Sequence, residues 1–410
     1  MIRPRRSAAP LSSLLLSPVG ETTLSRLWRE LDEDLASLQQ QNLLRTLTTL
    51  QAIRGTQGRI KGRRVTLWCT NDYLGLSQHP RLIRAACQAA RRWGIGARAS
   101  RLLAGSTALH EQLEQALATF FRAKAAAVFA SGYLANVGAL GALAAPEDLI
   151  LIDRLAHASL IDACRLTRAQ LRVFHHNDAA HAEAVLRRGT RARRRFIVTE
   201  GVFSMDGDRA PLRALLDVAQ RHEALVYVDD AHGAFVAGAT GRGSPEHAGV
   251  PHASLLYMGT LGKALGCQGG FVIGPRSLIA TIHNRARTFI YATALATPIA
   301  AAALEGLRVV REEPALRQRL AGHAQRLWNE LREFTSLPAE PSHILPVMVG
   351  STAGAQRFAM RLWQRGHFAP AIRPPTVPKG TARLRISLSA AHTPQQLQHL
   401  SHSLQQGLAA

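Results

Sequence analysis

From about residue 107 the chain alternates short apolar runs with amphipathic stretches. The runs are AAAVFA (125–130), LILI (149–152), LRVF (171–174), RRFIVT (194–199), ALVYV (224–228), LLYM (255–258) and GFVIG (270–274). Each is bounded by turn-forming residues, which marks a buried strand rather than a helix. Between them, helical spacing predicts helices over 107–121, 179–188 and 211–222, with others opening at the Gly turn of SGYLANVGALGAL and after DRLAHAS. Apolar strands alternating with helices predict an α/β fold, a mostly parallel seven-stranded sheet with helices on both faces. In such sheets ligands bind beyond the carboxyl ends of the strands.

The flanks read differently. Residues 23–51 carry apolar positions at helical spacing, which predicts one amphipathic helix or two. A hairpin is predicted in 55–69, and TNDYLGLSQHP reads as a loop into a helix beginning near Pro80. Helices dominate 297–334. ILPVMVG, a helix over 352–365, a short strand near 369–373, RLRISLS and a last helix capped by Thr393, with Pro394 at its first position, make a small α+β unit. The expected organisation is a tail over 1–22, a helix-and-hairpin segment over 23–70, a large domain over 71–305 and a small C-terminal domain over 306–410. The Arg- and Ser-rich start, MIRPRRSAAPLSSLLLSPVG, reads as a tail rather than a targeting peptide.

Composition narrows the class. The 410 residues are 47% apolar, as in ordinary globular proteins, and no apolar run is long enough to span a bilayer. Cys69, Cys87, Cys164 and Cys267 are scattered without metal-ligand spacing, so the expectation is a cytoplasmic protein with free thiols and no metal site. The net charge of +22 fits a nucleic-acid surface, an acidic partner or an anionic substrate. The arginines are spread along the chain and aromatics are only 5% of it, which argues against nucleic acid. Charge alone does not separate the rest.

Against that basic background there are only four lysines, Lys61, Lys124, Lys263 and Lys379. Lysine, unlike arginine, can lose its proton and attack a carbonyl. Lys263 sits in a Gly-rich loop after the LLYM strand, and the other candidates also follow strands. Gly132 and Tyr133 open a helix N-terminus suited to phosphate. Asp229 ends a strand, where a carboxylate can hold a protonated ring nitrogen or cap a turn. His232 follows it. His157 can stack on a flat ring or cap the next helix. Ser204 offers a hydroxyl or a turn. Thr260 can hold phosphate. Arg373 and Arg385, on late strands, need an anion or a structural carboxylate. A phosphate cradle, a carboxylate, two imidazoles, a hydroxyl and an imine-forming lysine together suit pyridoxal 5'-phosphate.

Five motifs in order, DRLAHASL, TEGVFSMDGD, VDDAHG, TLGKALG and RPPTVPKGTARLRISLSAAHT, resemble the α-oxoamine synthase family of pyridoxal-phosphate enzymes. The resemblance runs from about Asn71 to His392. It implies the fold type I transferase architecture and a homodimer. It also implies that Lys263 anchors the cofactor and moves the substrate proton, that Asp229 holds the ring nitrogen, and that His157 stacks on the ring. Ser204 and His232 would approach the phenolic oxygen, with Gly132, Tyr133 and Thr260 on the phosphate side. Arg385 would take the amino-acid carboxylate, and Arg45 and Thr376 would contact substrate, with Asn71 also facing the site. The segments IRPPTVP and GTARLR most resemble members that join L-alanine to a pimeloyl thioester, carried on acyl carrier protein or coenzyme A, in biotin biosynthesis. Members using glycine or serine with other acyl groups are the nearer alternative, and a basic nucleic-acid-binding protein on the same fold the remoter one. The loop GIGARASRLLAG, with Arg98, and the segment GCQGG, with Cys267 and Gln268, depart from the family's pattern. FIYATAL (289–295) is the expected contribution of one subunit to its neighbour's site.

Overall fold

The computed structural model describes residues 22–188 and 191–408. The tail expectation falls almost wholly outside them. The chain divides after Thr48 into two units.

In the first unit, one helix, α1 (Thr23–Gln40), begins at Thr22, whose side chain accepts the Ser25 N–H. Leu24, Leu27, Trp28, Leu31, Leu35 and Leu38 are all exposed along it. A second helix does not follow. Asn42 takes a left-handed conformation (φ 57°), and the Leu43 N–H turns back to the Leu38 carbonyl, which ends the helix as a Gly or Asn just past a C-terminus does.

In the second unit the strands are β1 (Ala52–Arg54), β2 (Gln57–Ile60), β3 (Arg63–Leu67), β4 (Ala125–Phe129), β5 (Leu149–Asp153), β6 (Gln170–Phe174), β7 (Arg195–Glu200), β8 (Ala224–Asp229), β9 (Leu256–Thr260), β10 (Gly270–Gly274), β11 (Ile344–Gly350), β12 (His367–Phe368), β13 (Ala371–Ile372) and β14 (Ala382–Ser387). The central sheet has seven strands in the order β4-β10-β9-β8-β7-β5-β6, with only β10 antiparallel to its neighbours. Apart from the edge strand β6, its strands are buried on both faces. Ile150, Ile152, Phe196 and Val198 pack on one side, and Leu149, Leu151, Ile197, Val226 and Val228 on the other. That two-sided burial is why these runs read as continuously apolar. The predicted hairpin is β2–β3, and β3 pairs in parallel with β12. The small sheet β11-β14-β13 is antiparallel and presents Arg385 from its middle strand.

Polar fastening supports the edges of the large sheet. His176 bridges Asp153 (2.9 Å) and Asp208 (2.8 Å). Burial alone would lower its pKa, but the two carboxylates outweigh it and raise it to about 10. A histidine raised in the folded state stabilises it fully below the unfolded value of about 6.5, and loses that contribution as pH rises through the folded one. His176→Gln is therefore expected to lower Tm most near pH 6. The gap should close toward pH 10 in melts followed by circular dichroism, and a pH-independent gap would refute the charge argument.

Candidate active site

The carboxyl ends of the parallel strands converge on one edge of the sheet. After β4, Ser131 caps α2 (Gly132–Leu143) by accepting the Leu134 N–H. The first-turn N–H groups of Gly132 and Tyr133 have no partner among the described residues. Gly270, where β10 starts, must stay small, because a Cβ there would lie 2.6 Å from the Gly132 Cα. Thr260, at the end of β9, is adjacent: a Cβ on Gly132 would lie 3.5 Å from its Oγ1. The Thr260 hydroxyl donates to the Gly269 carbonyl (2.7 Å) and accepts the Gly262 N–H. It therefore reaches an anion by exchanging that bond. Two free N–H groups at a helix N-terminus beside a hydroxyl fit a phosphate. The Tyr133 side chain is 44% exposed and donates to Asp162.

Asp229 ends β8 and is buried. Its Oδ2 accepts Asn136 Nδ2 (2.7 Å) and its Oδ1 the Ala231 N–H (2.9 Å). Asn136 also donates to Ser159 Oγ (2.8 Å) and accepts the Tyr227 hydroxyl (2.9 Å). Ser159 in turn meets His157 Nδ1 (2.8 Å). His157 caps the helix Ala158–Leu166 and its ring is exposed, so capping leaves a face free for stacking. Asp230, next in sequence, faces away. Ser244 and Tyr257 hold it, and burial raises its pKa to about 7. Of the two neighbouring aspartates, only Asp229 belongs to the site.

Lys263 lies in the β9–β10 loop, its Nζ 2.6 Å from His232 Nε2. Burial is the main force that lowers its pKa to about 8. Arg385 adds to the fall, while Asp229, Glu200 and Asp230 oppose it. A lysine so placed holds a useful share of neutral, nucleophilic amine near neutral pH. Burial drives His232 well below its ordinary value, so this ring is neutral.

Arg385 is buried and donates to the Ser204 carbonyl, Ser387 Oγ (2.7 Å), Asn71 Oδ1 (3.3 Å) and Tyr73 Oη (3.1 Å). All four acceptors are neutral. Arg383, two residues away, is paired with Asp206, whereas no carboxylate among the described residues stands within salt-bridge distance of Arg385. A buried guanidinium without a counter-ion is a seat for a carboxylate ligand. Ser204 is buried beside it. Thr376 is exposed in the turn after β13, its N–H donating to the Arg373 carbonyl, and Arg45 is exposed in the first unit.

Three groups escaped the sequence reading. Asn136 links Asp229 to Ser159, and its signal was a lone amide in the apolar helix LANVGALGAL. Tyr73 joins His232 to Arg385. Glu200 ends β7 in register with Asp229 and is buried; its Oε1 has no partner among the described residues. Burial and the neighbouring Asp229 hold its carboxyl well above the usual range.

A buried carboxylate, a lysine amine with a depressed pKa and an open helix N-terminus at the edge of the large sheet, with a buried guanidinium from the small sheet, fit the fold type I class. Residues 63–404 match the model of the family described as aminotransferase class I and II, and the chain belongs to that family. The resemblance to the α-oxoamine synthases is borne out by its relatives. It is 44% identical over 375 residues to 8-amino-7-oxononanoate synthase of Methylobacillus flagellatus, covering 90% of this chain and 93% of that one. To the synthase of the same name from Chromobacterium violaceum it is 45% identical over 372 residues, covering 91% and 97%. Among solved structures it resembles serine palmitoyltransferase from S. paucimobilis with a bound PLP–myriocin aldimine (TM-score 0.87, 30% identity, 94% and 98% covered). It also resembles 8-amino-7-oxononanoate synthase from Francisella tularensis (TM-score 0.73, 27% identity, 83% and 97% covered).

Proposed function

We propose that this chain is a pyridoxal 5'-phosphate-dependent 8-amino-7-oxononanoate synthase. It condenses L-alanine with a pimeloyl thioester and releases 8-amino-7-oxononanoate, CO₂ and the free carrier, a step of biotin biosynthesis. The observation that carries the cofactor reading is the Lys263 amine, lowered to about 8, on His232 beside the fastened Asp229. The relatives' shared name carries the choice of substrates.

The coenzyme, when bound, supplies an electron sink for the carbanion formed at the alanine Cα. The chain supplies the rest. Lys263 anchors the coenzyme and moves the Cα proton. Asp229 keeps the ring nitrogen protonated, with its carboxylate aimed by Asn136 and the Ala231 N–H. His157 covers the ring face. Ser204 and His232 face the phenolic oxygen, and Gly132, Tyr133 and Thr260 hold the phosphate. Arg385 takes the alanine carboxylate, Thr376 contacts substrate and Asn71 faces the site. Residues 71–305 form the cofactor-binding part and 306–410 the smaller domain.

The working unit is a homodimer in the cytoplasm, with FIYATAL (289–295) reaching the neighbour's site. No described helix is long and apolar enough to cross a membrane. The acyl donor rides on acyl carrier protein or coenzyme A, and the net charge of +22 favours encounter with an acidic carrier.

The test is a product assay by mass, offering alanine, glycine and serine against pimeloyl, acetyl, succinyl and palmitoyl thioesters. Pimeloyl thioesters are offered on both carriers at low and high salt. The expected product forms from alanine and the pimeloyl donor. A preference for glycine or serine, or for another acyl group, overturns the assignment.

A further inference from the structure

We infer that Tyr73 is a positioning residue that favours the proton of His232 on Nε2, so that this ring faces Lys263 as a hydrogen-bond donor and shifts the lysine toward its free amine. Its importance for the reaction rests on the role given to Lys263 above.

Tyr73 is fully buried below the site. Its hydroxyl has three polar neighbours: His232 Nδ1 at 2.6 Å, Asn71 Oδ1 at 3.1 Å and Arg385 Nη2 at 3.1 Å. A guanidinium can only donate, so Arg385 uses a lone pair of the phenolic oxygen. The hydroxyl then has one proton to place, on His232 Nδ1 or on Asn71 Oδ1. Asn71 Oδ1 already faces two guanidinium N–H groups of Arg385, at 3.3 and 3.4 Å. His232 is closer and has no other partner on that nitrogen among the described residues. Donation from Arg385 also polarises the O–H and makes it the better donor. The proton therefore goes to Nδ1.

A neutral imidazole that accepts at Nδ1 carries its own proton on Nε2. His232 is neutral because it is buried, and because Lys263, Arg385, His343 and His157 all oppose its charge. Its Nε2–H points at Lys263 Nζ, 2.6 Å away. A donor there needs a lone pair on the amine, which the ammonium form lacks. The opposite tautomer would present a lone pair to Lys263 and favour the ammonium. Burial sets most of the fall in the lysine's pKa, Arg385 contributes, and Asp229, Glu200 and Asp230 pull the other way. The tautomer is an additional lever, set from Tyr73.

The test uses full-length protein labelled with 15N-histidine, without added coenzyme, with His232 assigned by loss of its signals in His232→Gln. Long-range 1H–15N correlations should show Nδ1 as the lone-pair nitrogen and Nε2 as the protonated one. In Tyr73→Phe, which removes one oxygen, that pattern should change to a mixture or to the other tautomer. The pH midpoint for forming the visible band of the bound coenzyme should rise by about one unit, roughly a tenfold loss of free amine at neutral pH. An Nδ1–H tautomer in the unaltered protein overturns the inference, and this needs no variant to fold. So does a Tyr73→Phe protein with unchanged tautomer and midpoint. Failure of the cofactor reading looks different: the tautomer is as inferred, yet no visible band forms.

Discussion

Lys263→Ala is expected to abolish synthesis of the product and covalent retention of the coenzyme together. The amine sits at the convergence of β8 and β9, on His232, with its charge discouraged by burial. Loss of a positioned proton-transfer group alone costs roughly 10²–10⁴-fold in turnover, and loss of the anchor adds to it. After borohydride treatment, mass spectrometry of the unaltered protein should place the coenzyme on the peptide that carries Lys263. The alanine variant should carry none. Retention on Lys61, Lys124 or Lys379 would refute the assignment. Because Lys263 falls to about 8, the attachment rate should rise with pH and level off above that value. A midpoint near that of a free lysine would show that the site does not depress the amine.

The candidate anchor, Lys263, stood out because lysine is rare here and this one follows a strand. The sheet was legible for a related reason. Strands buried on both faces need continuous apolar runs, and LILI, ALVYV and GFVIG are such runs in regular alternation with helices. Residues 41–51 misled because helical periodicity says where an apolar face would lie, not where the backbone stops. The stop is one left-handed asparagine, Asn42. The supporting polar groups were not legible, because their partners come from distant parts of the chain. Tyr73 meets His232 across 159 positions and Arg385 across 312. Asn136 meets Asp229 across 93. No local spacing encodes such contacts. Arg385 differs from Arg383 for the same reason. Arg385 read as a strand arginine that needs an anion, and only the folded chain shows that Asp206 answers its neighbour Arg383 while no carboxylate among the described residues answers Arg385.

Asp229→Asn is the second change with a large expected effect, and it isolates charge from shape. Asparagine fills the same volume, but the site offers Asp229 only donors: Asn136 Nδ2 on one oxygen and the Ala231 N–H on the other. Whichever way the new amide turns, its NH₂ faces a donor, and one buried group goes unpaired. That costs about 1–3 kcal/mol of folding stability with or without coenzyme, and coenzyme binding should weaken separately, through loss of the charge pair with the ring nitrogen. The amide also carries no charge to hold a proton on the ring nitrogen, and the electron sink fails even in the loaded fraction. Turnover at saturating coenzyme should fall by at least about a hundredfold, within the range for losing a positioned proton-holding group. Asn136→Ala is the contrasting change. It leaves the carboxylate charged but loosely held, so turnover should fall less than in Asp229→Asn, and the coenzyme band should persist. If Asp229→Asn binds coenzyme and turns over like the unaltered protein, the ring nitrogen does not lie against Asp229 and the orientation proposed for the cofactor is wrong.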